Sequence, residues 1–182
     1  MGNLILAIVL FAVSSVSAAQ YTVVRVIDGD TVVLRGNHDI VRLDLAYVDA
    51  PELGTCPVFP CQPFAREARR FLENKLLGKK VSVVMRSSSS NEKARGILFV
   101  NGEDMNMELI KAGLAEVSTD TFAAANRLAR RYVQAQHQAW CAKKGVWGLG
   151  RSHVCPSRWR QRTKERSAIA ALLYILMTQP KK

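Results

Sequence analysis

Two runs rich in β-branched residues, separated by three turn residues, constrain this chain more than any other feature. Residues 21–27 (YTVVRVI) and Thr31–Arg35 (TVVLR) flank Asp28-Gly29-Asp30. β-Branched side chains are stiff and favour extended backbone, while Asp and Gly favour a reversal, so the segment predicts a hairpin. Gly36-Asn37-His38 turns the chain again before a third strand over residues 40–48 (IVRLDLAYV). Its alternation puts Arg42 and Asp44 on one face, with Leu43, Leu45 and Tyr47 on the other.

The pattern then changes. Residues 52–63 form a loop with three prolines and two cysteines. Phe64, Ala68, Phe71 and Leu72 recur at helical spacing, and Gly78 closes a predicted helix over 64–77. Strands are predicted over 80–85 and 96–100, the latter ending at the tight-turn pair Asn101-Gly102. A short helix over 105–112 stops at Gly113, and a longer one over 126–144 stops at Gly145. The order β-β-β-α-β-β-α-α excludes a parallel βαβ array. It predicts an α+β fold, mainly β: a five-stranded barrel with three helices, of the oligonucleotide-binding (OB-fold) architecture. With close to half of its residues apolar, the chain can fill such a core.

Both ends differ from the middle. No charged side chain precedes Arg25, and the apolar run over 4–13 is followed by small residues ending Val16-Ser17-Ala18. Ten residues fall short of the roughly 20 that span a bilayer. The expectation is a signal peptide over 1–18 and an exported protein, periplasmic or extracellular, with an uncleaved membrane anchor as the alternative. The barrel domain is then expected over 19–148 and a tail over 149–182. In that tail, Arg158, Arg160, Arg162, Lys164 and Arg166 precede a wholly apolar stretch over 168–177. The apolar stretch has three readings: docking on its own domain, which we favour, peripheral membrane contact, or a partner. A monomer is expected.

Cys56, Cys61, Cys141 and Cys155 make an even count, which in an exported chain suggests two disulfides. The local pairings are Cys56–Cys61 and Cys141–Cys155. Their spacings, with four and thirteen intervening residues, match no common zinc pattern. Lysines and arginines number 26 against 15 acids, a net charge of +11, which favours an anionic partner such as nucleic acid.

Acids gather where the strands turn. Asp28 and Asp30 occupy the first turn, and Asp49 and Glu52 follow the third strand in Asp49-Ala50-Pro51-Glu52. Hard oxygen donors grouped this way suit Ca²⁺ or Mg²⁺, although aspartate also favours turns simply by capping its own backbone. Arg95 lies in Lys93-Ala94-Arg95-Gly96, just before the fifth strand. Phosphodiester hydrolysis needs a polarising metal, a base for water, and cations on the developing charge. A planar guanidinium suits the last role.

Four segments occur in order: Val26-Ile27-Asp28-Gly29-Asp30-Thr31, Val48-Asp49-Ala50-Pro51-Glu52, Lys93-Ala94-Arg95-Gly96, and residues 105–115 (MNMELIKAGLA). The series resembles the staphylococcal nuclease, or thermonuclease, family over residues 21 to about 147. The resemblance implies the barrel and Ca²⁺-dependent hydrolysis of DNA and/or RNA. It implies that Asp30 and Asp49 ligate the metal with the Ala50 carbonyl, with Asp28 just behind them. Glu52 takes the place of the base, and Arg95 that of one of two phosphate-clamping arginines. The chain departs from the family pattern at the other arginine, where Asp44 stands and Arg42 is the nearest substitute. It also lacks the nucleotide-contacting tyrosines, with Phe122 as an alternative stacking surface. These departures bear on rate and substrate preference, not on fold. The leading expectation is an active endonuclease. The alternatives are a nucleic-acid-binding barrel with impaired catalysis and an envelope-associated structural protein.

Overall fold

The computed structural model describes residues 19–54, 60–88, 94–118 and 127–178. The expected leader over 1–18, Cys56, Lys93 and Phe122 lie outside them. The expected hairpin forms from β1 (Ala19–Val26) and β2 (Thr31–Arg35), antiparallel from Thr22↔Arg35 to Val26↔Val32, with a one-residue register shift between Val23 and Arg25. β3 (Ile40–Leu45) pairs antiparallel with β2, while β5 (Lys80–Ser88) pairs with β1 and β6 (Ala94–Val100) with β5. β3 then meets β6 in a parallel ladder over Leu43↔Ala94 to Leu45↔Gly96, which closes the barrel. Closure leaves these strands no open edge, which is why so short a sheet is stable alone. Leu34, Leu43, Leu45 and Leu98 fill the inside, and α1 (Ala65–Leu76) adds Leu72 and Leu76 from one end. Arg42 and Asp44 face outward as the alternation requires.

The third strand is shorter than expected. Tyr47 adopts a left-handed backbone, φ 68°, and breaks the run. Its ring rests on Tyr132, with the Arg86 guanidinium on it, and those contacts hold the unfavourable angle. After the kink, β4 (Val48–Asp49) leaves the barrel to pair with β8 (Glu116–Val117), setting Asp49 opposite Glu116. β7 (Glu103–Asp104) extends β6 and leads into α2 (Met105–Lys111). Asp104 caps α2 by accepting from the Met107 N–H and also accepts from Tyr132 Oη.

Asn106 on α2 is wholly buried. Its amide donates to the carbonyls of Ala46 (2.9 Å) and Gly96 (3.1 Å), and its oxygen accepts from the Leu98 N–H (3.1 Å). One side chain thus fastens the end of β3, the strand that carries Asp44, to β6, the strand that carries Arg95. Each such bond left unmade in the core costs about 1–3 kcal/mol.

α3 (Arg127–Cys141) packs on α2 and is followed by a 3₁₀ segment, Gly145–Ser152. α4 (Pro156–Thr178) is a single helix through both the basic and the apolar parts of the tail. The expected docking of its apolar part is not found in the described side chains, because Ile169 and Leu172 are each more than half exposed. Among the described residues, no helix is long and apolar enough to cross a membrane.

The pairing of Cys141 with Cys155 does not form. Cys141 lies beside the His137 ring one turn back on α3, while Cys155 Sγ lies 3.4 Å from Ser157 Oγ at the start of α4. Each thiol therefore faces its own helix. Cys61 Sγ lies 3.9 Å from the Gly54 carbonyl in the proline-rich loop.

Candidate active site

The turn between β1 and β2 brings Asp30 to the end of the barrel. Asp28 Oδ1 accepts the Asp30 N–H at 3.1 Å, so Asp28 braces the turn as well as lining the site. Gly29 is required here: a Cβ would lie 2.6 Å from Ala50 Cβ and 2.8 Å from Ala68 Cβ. That approach seats the turn against α1 and the start of the Glu52 loop. The Asp30 carbonyl accepts the Leu45 N–H at 2.7 Å, and its Oδ2 accepts the Ala50 N–H at 2.8 Å. Asp30 is thereby fixed both to β3 and to the segment that follows Asp49.

Burial pushes the Asp30 carboxyl up to about 8, and the neighbouring charges of Asp28 and Asp49 push the same way.

One cleft, about 460 Å³, is lined by Asp28, Asp30, Asp44, Asp49 and Glu52 together with Arg42, Arg95 and Arg160. Among the described residues, the sequence-predicted acids and arginines all line it. Asp44 sits in register with Arg95 across the β3–β6 ladder, and Thr31 Oγ1 lies between Asp30 Oδ1 (3.2 Å) and Asp44 Oδ1 (3.4 Å). Arg42 Nε is 3.9 Å from Asp44 Oδ1, both side chains being well exposed, so the nearest arginine in sequence is engaged in a surface ion pair. Glu52 is half-buried at the mouth of the cleft.

Sequence reasoning missed two residues. Gln62 is buried, and its side chain accepts the Glu52 N–H at 3.0 Å and donates to the Val154 carbonyl at 2.6 Å. Its own N–H donates to the Glu52 carbonyl at 2.9 Å. Arg160, read only as part of a basic tail, donates from Nη1 to Asp49 Oδ1 (2.8 Å) and Glu52 Oε1, and from Nη2 to Asp49 Oδ2 (3.1 Å). These bonds hold the guanidinium firmly charged. Pro156 at a helix start was the only local hint that the basic run is helical.

The family model for staphylococcal nuclease homologues matches residues 42–148. The chain is 34% identical over 137 residues to the thermonuclease of Staphylococcus hyicus, covering 74% of this chain and 79% of that one. The chain belongs to the staphylococcal nuclease family. It is also 31% identical to the thermonuclease of Staphylococcus intermedius, again over 137 residues, with the same coverage. A probable endonuclease LCL3 of Komagataella phaffii is 31% identical over 126 residues. That match covers 66% of this chain and 54% of the yeast protein, so the chain spans about half of that relative's length. The family match ends before α4, so Arg160 comes from outside the region that the model describes.

Proposed function

We propose that the protein is an exported, Ca²⁺-dependent endonuclease that hydrolyses phosphodiester bonds of DNA and/or RNA. The observation that carries this reading is the convergence of Asp30, Asp49, Glu52 and Arg95 on one cleft at the barrel's end. A module that only bound nucleic acid would not need an acidic cluster facing an anionic substrate. The support for export is the uncharged apolar start with its small-residue site.

The donor set fits a hard cation. Asp30 and Asp49 offer carboxylates, and Ala50 offers a carbonyl, all of them oxygen. Among the described residues, no three His, Cys, Asp or Glu side chains are grouped tightly enough to hold a metal by themselves. The set would leave several positions of a Ca²⁺ ion to water and phosphate oxygens, as a catalytic rather than a structural site requires. The Asp30 carboxyl, pushed up by burial and its acidic neighbours, is the group that a dication would relieve. When bound, Ca²⁺ would polarise the phosphodiester and offset its charge.

The chain's own residues supply the rest. Glu52, held at its backbone by Gln62, orients a water molecule and takes its proton. Arg95 stands across the cleft, where a guanidinium fork stabilises the extra charge on the phosphorane-like oxygens. Arg42 lines the same wall, but its engagement with Asp44 assigns it a weaker share.

The test is Glu52→Gln, which keeps shape and removes basicity. Cleavage of a single-stranded oligonucleotide should fall by about 10²–10⁴ while Ca²⁺ affinity, read by calorimetry, persists. A variant that cleaves as fast as the parent would mean that Glu52 is not the base.

A further inference from the structure

Arg160 stands on the second turn of α4, and the start of that helix is held in place from several sides. Val146 donates to the Gly113 carbonyl, the Trp147 ring lies 4.9 Å from that of His153, and His153 Nε2 lies 2.9 Å from Glu116 Oε1. Gln62 ties Val154 to the Glu52 loop, and Pro156 is buried. Glu116 in turn pairs with Asp49 across β4–β8. The guanidinium therefore reaches Asp49 and Glu52 from a built support and not from a free tail.

Its hydrogen bonds leave donors to spare. A guanidinium carries five N–H groups. Three are committed to Asp49 and Glu52, and the described residues give the other two no acceptor. Each Asp49 oxygen accepts one of these bonds and keeps a second lone pair for a cation. Charge counting points the same way. Five carboxylates line the cleft against three guanidiniums, so a bound dication brings the wall to formal neutrality. Without Arg160 the wall would stay one charge negative against an anionic substrate.

We propose that Arg160 is a catalytic residue of this nuclease, a phosphate-binding arginine supplied by the C-terminal helix. One edge of its fork stays on Asp49 and Glu52, and its remaining N–H donors take a non-bridging oxygen of the scissile phosphate. It does the work of a second clamp at a cleft where Asp44 stands between Arg95 and Arg42. The proposal rests on the nuclease reading above. The rival role is a plug: a guanidinium that occupies Asp49 and must leave before a cation binds. The two roles predict effects of opposite sign.

The experiment compares the full-length parent, Arg160→Ala and Arg160→Lys on a single-stranded oligonucleotide at saturating Ca²⁺. Arg160 is exposed on its helix, so unfolding temperatures should match and show that the fold is retained. The expected result is a fall in kcat/KM of about 10²-fold for Ala, with partial recovery for Lys, which keeps the charge but loses the fork. Asp44→Arg added to Arg160→Ala should restore part of the rate, because position 44 faces the same cleft. Oligonucleotide binding in chelator is the readout independent of turnover. Its dependence on salt should weaken in Arg160→Ala by about 0.7 in log–log slope, the signature of one lost phosphate contact on a single strand. Cleavage equal to the parent's would overturn the proposal. Faster cleavage with tighter Ca²⁺ binding would establish the plug instead. A parent that does not cleave at all would sink the nuclease reading alone, and the salt slope would still decide whether Arg160 holds phosphate.

Discussion

The barrel mouth and the C-terminal helix furnish the same cleft by different physical means. Asp30, Asp49 and Arg95 are fixed by ladders and backbone bonds: Leu45 and Ala50 on Asp30, β8 beside Asp49, β3 beside Arg95. Arg160 is 111 residues from Asp49 in sequence and is fixed by side-chain braces at one end of α4. Past Ser167, the described side chains of α4 are exposed. The anionic half of the site is thus part of the folding unit, while one of its cations is attached to it. Such an attachment can be cut without unfolding the barrel, so the comparison is open to experiment.

The largest difference should come from Glu52→Gln on the barrel side, with its loss of 10² or more in rate, as set out above. Gln62→Ala comes next, because Gln62 joins the two regions. Removing its bonds to Glu52 and Val154 should cost about 2 kcal/mol in chemical denaturation and cut cleavage by about 10-fold. Combined with Arg160→Ala, its effect on rate should be less than multiplicative, since both act through the seat of α4. Fully multiplicative losses would show that Gln62 serves Glu52 alone. The smallest effect belongs to the far end of the helix. Ending the chain after residue 167 removes the exposed Ile169 and Leu172 and should leave kcat/KM within about twofold of the parent. A larger loss would show that the apolar segment serves the active site.

How much of this was legible in the sequence follows from the same contrast. The hairpin, the acidic turn and the Asp49–Glu52 segment are local patterns, and strand alternation correctly set Leu43 and Leu45 inside and Arg42 outside. The kink at Tyr47 was not legible, because nothing local favours a left-handed tyrosine; its contacts with Tyr132 and Arg86 come from other parts of the chain. Gln62 looked like one more polar loop residue, since its value lies in the two backbone groups it joins, 10 and 92 residues away. Cationic residues at every second position from 158 to 166 read as a basic run, and on a helix that spacing scatters them around the axis. Only the docking of the helix start selects Arg160 from among them. For the apolar stretch, docking is the favoured of three sequence readings, and the exposed Ile169 and Leu172 do not bear it out, because hydrophobicity alone does not name the surface that covers it.

The central claim is metal-dependent cleavage by the acidic cleft. The direct measurement is release of acid-soluble nucleotide from single-stranded DNA by the purified protein, with Ca²⁺ and with excess chelator. The account predicts release in Ca²⁺, none in chelator, and recovery when Ca²⁺ is restored. Release that continues undiminished in chelator, or none in Ca²⁺, would contradict it.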